Sequence, residues 1–332
     1  MPAKALSYLA RAVLVAGIMG AGLWTATHGV AGVAWGDVGV VLRDVGLGHL
    51  GLLAVIWLSG LGIYSLVLSA ALPGLGIRRS LLLNLSGSAV ANVVPLGGAV
   101  ATALNWRMVR RWGHSNAAFA TFCVLTNALD VLTKLMLPLV AVATLVAVSV
   151  HVQSGLWVVA ASCATLVVAI LSVHLVLLQP AAVAGPESSV RRSVIVRRRL
   201  HDSATHLHRL LVLRWRRLLP GSIAYIAAQV VLLFFCLRFV GLHPSPTAVL
   251  MAAALERLGT LVPITPGGAG VAEIGTVAWL VAIGLDPVEV VAGVLLYRIF
   301  LVAMEIPVGG ALLGCWAWLQ RSTVAPAGGL GS

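Results

Sequence analysis

The chain has 332 residues, 60% of them apolar and only 10% charged, and its mean hydropathy is +1.03. Soluble domains carry about 25% charged residues, so water is excluded as the solvent for most of this chain. The net charge of +12 is concentrated in one arginine-rich segment flanked by apolar runs. No nucleic-acid-binding module surrounds that segment, which sets nucleic acid aside as a partner.

A spanning helix needs about 20 apolar residues, and apolar runs follow one another along the chain. The first, near 7–27, comes after Lys4 and Arg11 and reads as a retained signal anchor rather than a cleaved leader. Segment 36–49 is mixed, with Asp37, Arg43 and Asp44, and suits an interfacial helix or loop. A second span is expected near 52–72. The run 81–106 is interrupted by Asn92, Pro95, Gly97 and Gly98, and the run 117–150 contains Pro138, which predicts a kink. A clean span at 156–178 precedes Arg191, Arg192, Arg197, Arg198, Arg199, Arg209, Arg214, Arg216 and Arg217, read as a loop over 180–219. That loop either sets topology or touches anionic lipid. Spans near 223–242 and 288–319, the latter containing Pro307, bracket the run 247–285, which is broken at Pro263, Pro266, Gly267 and Gly268. Cys123, Cys163, Cys236 and Cys315 all lie within apolar runs and read as small buried hydrophobes.

Positive charge orients these segments. Lys4, Arg11, Arg78, Arg79, Arg107, Arg110, Arg111, the arginine-rich stretch and Arg321 all fall on the cytoplasmic side if both interrupted runs leave and return on one face. Each arm is then too short to cross, and each run becomes a re-entrant hairpin, one entering from each side of the membrane. The breaks also repeat. Pro95 and Pro263 stand 168 positions apart, Gly97 and Gly267 170, Gly113 and Gly284 171, Pro138 and Pro307 169. Oppositely oriented broken helices recur in transporters, because unwound backbone persists in hydrocarbon only where protein or a wet cavity satisfies it. Tight turns between short spans are the plainer reading of the same pattern. The expected fold is therefore all-α: a polytopic membrane protein with about six full spans and two oppositely oriented re-entrant hairpins forming an inverted repeat. One transmembrane domain is expected over 1–320, with repeat one near 81–150, repeat two near 247–319 and a cytoplasmic tail at 321–332.

Charges inside the apolar runs are candidates for function, since each costs about 2.5–3.5 kcal/mol unpaired. Asp130 and Lys134 have the favourable four-residue helical spacing and read as a pair. Glu256 and Arg257 are adjacent, point about 100° apart on a helix and are expected to need different partners. Glu273 falls in the first turn after the second break, where it complements a helix N-terminus or contacts substrate. Arg298 and Glu305, seven apart, should share one helix face with a third group or a ligand between them. Arg298, beside Tyr297, is the leading candidate for a lipid phosphate, which a guanidinium matches in shape. The four acids Asp130, Glu256, Glu273 and Glu305 outnumber the three bases by one.

Glu256-Arg257, the stretch from Pro263 through Pro266, Gly267, Gly268 and Gly270 to Glu273, then Gly284 and Leu295-Leu296-Tyr297-Arg298, resemble the lysylphosphatidylglycerol synthase transmembrane-region family of flippase-like proteins. Asn92, Pro95, Gly97 and Gly98 are similar to that family's first broken segment. The resemblance covers most of the chain and departs at Asn127–Asp130, where relatives often carry a Glu-Arg pair. It implies a bacterial plasma-membrane protein that translocates a phospholipid, an aminoacyl-phospholipid or a polyprenyl-linked lipid. The chain ends at Ser332 without an aminoacyl-transferase domain, so no lysyl transfer of its own is expected. An intramembrane enzyme such as a polyprenyl-phosphate glycosyltransferase, and a scaffold for a separate cell-envelope synthase, are the alternatives. No catalytic motif, metal site or cofactor is expected, and membrane lipid is the expected partner.

Overall fold

The computed structural model describes residues 32–94, 97–148, 154–178, 188–261 and 268–322. The expected first span, Pro95, Pro263, Pro266, Gly267 and most of the expected tail lie outside them. The described residues are helical in succession: α1 (Trp35–Arg43), α2 (Leu47–Ala71), α3 (Ile77–Val93), α4 (Gly97–Arg111), α5 (Asn116–Ala147), α6 (Ser154–Leu178), α7 (Ser188–Phe239), α8 (Pro246–Gly259), α9 (Val271–Ala282) and α10 (Pro287–Arg298). A π-turn, Ile299–Ala303, joins α10 to α11 (Glu305–Ser322).

Five of these segments are long and apolar enough to cross a membrane: α2, α5, the first part of α6, Leu213–Phe239 of α7, and Pro287–Gln320. Large apolar side chains stand exposed along them, among them Val55 and Leu58 on α2, Val140 on α5 and Val158 and Leu166 on α6. A soluble surface would not tolerate such bands, and they face lipid. The protein is a multi-pass membrane protein. Of its cysteines, Cys163 and Cys236 are buried, whereas Cys315 is exposed on a lipid-facing helix. The expected loop at 180–219 is corrected: from Ser188 onward it is helix, continuous with the span that follows. No Gly or Pro interrupts 188–219, and Arg and Leu are strong helix formers.

The hairpins are folded back on themselves. In the first, a side chain on Gly87 would meet Asn105, and one on Gly97 would overlap the backbone of Ala91. In the second, Trp279 Nε1 donates to the Ala248 carbonyl at 2.9 Å, and a Cβ on Gly259 would sit 2.5 Å from the Ala272 Cα. The arms have 17, 15, 14 and 12 residues, about 18–26 Å, against a hydrocarbon core of about 30 Å. None of the four arms is long enough to cross alone.

The turns that follow the two hairpins have the same backbone bonding. After α4, Gly113 N donates to the Arg110 carbonyl and His114 N to that of Val109; after α9, Gly284 N donates to Val281 and Leu285 N to Leu280. Gly113 and Gly284 have φ of +89° and +90°, a left-handed turn that glycine adopts without strain. Each turn delivers the next helix to a side-chain cap: Ser115 accepts from Ala118 N, and Asp286 accepts from Val288 N and Glu289 N. The repeat also reaches further back than the Pro-Gly breaks, to α2 and α7. Contacts between these helices run His49–Phe239, Gly60–Ala228, Tyr64–Tyr225, Val67–Gly221 and Ala70–Arg214, one number rising as the other falls. Helices α2 and α7 are therefore antiparallel, as equivalent elements of an inverted repeat must be.

Opposite ends of the bundle carry different chemistry. Arg79 lies over Trp112 and Arg111 over Trp316, so the open end of the first hairpin, the C-terminal end of α11 and the arginine-bearing end of α7 share one face. The second hairpin opens on the other face, where Gly241 approaches Glu289 and His49 stacks on Phe239.

The helix of the second repeat seals the first hairpin. A Cβ on Gly309 of α11 would overlap the carbonyl of Leu85 on α3, whereas one on the neighbouring Gly310 would meet nothing. Gly309→Val is expected to destabilise the protein by about 1–3 kcal/mol or more through overpacking, and Gly310→Ala to leave it unchanged. Thermal unfolding in detergent micelles reads the difference; equal melting temperatures for both variants would contradict this packing.

Candidate functional site

Three elements around the second break converge on a chain of charges. Glu256 and Arg257 come from the last turn of α8, Glu273 from the first turn of α9, and Tyr297 and Arg298 from the end of α10. Arg298 Nη1 lies 3.2 Å from Glu256 Oε1, and its Nε lies 2.6 Å from Glu273 Oε1. The second oxygen of Glu273 accepts from Gly270 N at 2.6 Å, capping α9. Arg257 Nε lies 2.8 Å from Glu256 Oε2, and its Nη2 donates to the Tyr297 hydroxyl at 3.0 Å. Two carboxylates and two guanidiniums cancel. Glu256 is only 2% exposed, a depth at which neither charge would be tolerated without its partner.

This arrangement differs from the expectations at three points. Glu256 and Arg257 pair with each other although they are neighbours, because the long arginine side chain bends back to its neighbour's carboxylate. That ion pair lacks hydrogen-bond alignment, so Glu256 Oε2 keeps an acceptor site free. Arg298 is held by two carboxylates and is not a bare phosphate receptor. Glu305 does not share its face. The π-turn between them inserts an extra residue, which turns the helix by about 100° and sends the two side chains to different neighbours.

Asp130 and Lys134 on α5 form an ion pair, Lys134 Nζ to Asp130 Oδ2, at 2.8 Å. Together with Thr126 they line a narrow cleft, whose other lining residues include Tyr225 and Gln229 of α7 and Arg257 of α8. Arg257 thus joins the buried charge chain to the cleft. Tyr64 and Tyr225 stack across the α2–α7 contact, with ring centroids 4.6 Å apart, and both line the same cleft. In the first hairpin, Asn92 is half-buried near the end of α3, Gly97 is buried at the start of α4, and Gly98 is exposed. None of these three reaches the charge chain. Gly268, at φ +68°, lies so close to Thr260 that a Cβ there would sit 2.6 Å from the Thr260 Cα and overlap backbone.

Two residues escaped the sequence reading. Gln229 is a polar side chain in mid-span, a signal that was there to be read. Tyr225 was not visible, because an aromatic in a span is more often lipid-facing than cleft-lining.

The family model for the lysylphosphatidylglycerol synthase TM region matches residues 9–309. The chain belongs to the lysylphosphatidylglycerol synthase TM-region family. The matched range takes in both hairpins, the Glu256–Arg298 chain and the Asp130–Lys134 cleft. A comparison with curated proteins found no match.

Removing one charge from the chain leaves others buried and unpaired. Glu256→Gln is expected to destabilise the protein by about 3–5 kcal/mol. Glu273→Gln combined with Arg298→Gln should cost clearly less than the sum of the two single changes, because the pair is removed together. Melting temperatures of the four proteins in one detergent test this; strict additivity would show that Glu273 and Arg298 are not coupled.

Proposed function

We propose that the protein moves a phospholipid, an aminoacyl-phospholipid or a polyprenyl-linked lipid between the leaflets of the bacterial cytoplasmic membrane. The head group travels through the cleft bounded by Asp130, Lys134, Tyr225, Gln229 and Arg257, while the tails stay in the bilayer. The observation that carries this reading is the cleft itself: Lys134 from the first repeat and Arg257 from the second both line it. A phosphate needs such groups to leave water, and inverted broken helices are the architecture in which access can alternate. The family's membrane-lipid context points the same way.

The face with Arg78, Arg79, Arg110, Arg111, Arg214 and Arg217 is the cytoplasmic one in this reading, since cytoplasmic ends collect Arg and Lys. The last described turn of α11 is on that side with the arginine-bearing end of α7, and cytoplasmic termini are part of this reading. Neither Glu256 nor Glu273 is left over as a general base, since Arg257 and Arg298 hold them, and this weighs against an intramembrane transferase.

Vesicles containing the purified chain and a trace of chain-labelled phosphatidylglycerol test the reading through the fraction of label that dithionite can reach. The wild-type protein is expected to speed equilibration between leaflets. Lys134→Gln removes one charge-assisted contact and should slow it about tenfold. Label distributions that the wild-type protein leaves unchanged for phosphatidylglycerol, lysyl-phosphatidylglycerol and a polyprenyl phosphate would reject translocation.

A further inference from the structure

Pairing the intramembrane charges leaves one over. Asp130 goes with Lys134, and Glu256 and Glu273 go with Arg257 and Arg298. Glu305 remains, 8% exposed, with no cation within ion-pair distance among the described residues. An unpaired carboxylate at this depth is costly, and a group so placed normally gives up its charge.

Its surroundings are specific. Glu305 lines a second, small cavity with Trp57 and Gly60 of α2, Tyr225 and Gln229 of α7, and Leu301 of the π-turn. Two buried polar atoms on this cavity have no partner among the described residues: the Trp57 indole N–H and the Gln229 Oε1 carbonyl. The two residues are 6% and 5% exposed. Native proteins rarely leave such groups unsatisfied, and one donor and one acceptor on residues lining the same cavity limit what fits there. A carboxylic acid does, since its O–H can donate to an amide oxygen while its carbonyl accepts from an indole. A metal cation does not, because the Trp57 N–H presents its positive end to the space.

The other groups facing Glu305 are few. Helix α3 offers the Ser88 hydroxyl, which lies near the Glu305 carboxyl. Helix α7 offers the Tyr225 hydroxyl, which Gln229 contacts. Helix α8 offers Arg257, which acts on Glu305 only through its field, beyond ion-pair distance, and is already engaged by Glu256. On its own strand of chain, Arg298 is bound by Glu256 and Glu273. The π-turn directly before Glu305 supplies a backbone segment that can shift its bonding register, a device common at functional sites.

We infer that Glu305 is a proton-carrying site, taking one proton to become a neutral carboxylic acid and releasing it to water through the head-group cleft, so that lipid movement is coupled to proton movement. The cavity and the cleft share Tyr225 and Gln229, which puts the acid one layer of side chains from the space the head group uses. The proton enters from water and returns to it, and no other bond changes. The coupling rests on the translocation reading; the protonation of Glu305 does not.

Two measurements on the full chain in phosphatidylcholine–phosphatidylglycerol vesicles separate them. Difference infrared spectra across a pH titration should show a protonated-carboxyl stretch that Glu305→Gln removes; a spectrum without that band, or with the band intact in the variant, overturns the site. With the membrane potential clamped, a one-unit pH difference should shift the steady-state leaflet ratio of labelled phosphatidylglycerol about tenfold in the wild-type protein, and Glu305→Gln should lose the shift. A wild-type ratio indifferent to the pH difference, or a variant that still follows it, overturns the coupling. A wild-type protein that moves no lipid rejects the translocation reading instead, and the infrared band still decides whether Glu305 takes a proton.

Discussion

One carboxylate holds the second half of this protein together. Glu273 closes the buried start of α9 through Gly270 N with one oxygen and binds Arg298 with the other. A helix that begins inside hydrocarbon has backbone donors with no water to satisfy them, so the break survives only if a side chain serves them. A carboxylate can, but brings a charge that needs a cation. Arg298 supplies the cation and itself needs Glu256, which draws in Arg257 and through it Tyr297. The charge chain is the consequence of breaking a helix in a membrane, followed until the charges cancel.

The two halves share a frame and divide the chemistry. The turns after α4 and α9 match bond for bond, and α2 and α7 cross antiparallel at Gly60 and Ala228, where small residues let the backbones approach. Around that crossing the polar groups are unequal. The second repeat carries the buried charge chain, while the first contributes Asp130, Lys134 and the Ser88 hydroxyl. Their meeting places are the two cavities flanking Tyr225 and Gln229. Motion between the halves would change these cavities first, since each is built from both.

Much of this was legible in the sequence because membranes constrain chains strongly. Run lengths placed the spans from α2 onward, the arginines placed the ends, and a steady offset between Pro, Gly and Gly marked the repeat. The charged residues were legible as a set, because few ionisable groups occur in such runs without a reason. Their partners were not. Spacing on an ideal helix put Arg298 and Glu305 on one face, and a single π-turn moved them apart. Adjacency separated Glu256 from Arg257, and a flexible side chain joined them. The arginine-rich stretch read as a loop from its charge, although its residues favour helix. In each case a local backbone or rotamer choice, set by tertiary neighbours, overrode a period counted along the chain.

The central claim is that the two hairpins enter the membrane from opposite faces. Accessibility labelling in intact vesicles tests it, using single cysteines placed at the hairpin ends of a variant lacking the four native ones. Arg78→Cys and Arg111→Cys should react with an impermeant maleimide from one side only, and His243→Cys and Asp286→Cys only from the other. Labelling of positions 78 and 111 from opposite sides would make the first hairpin a pair of crossings and contradict the inverted repeat.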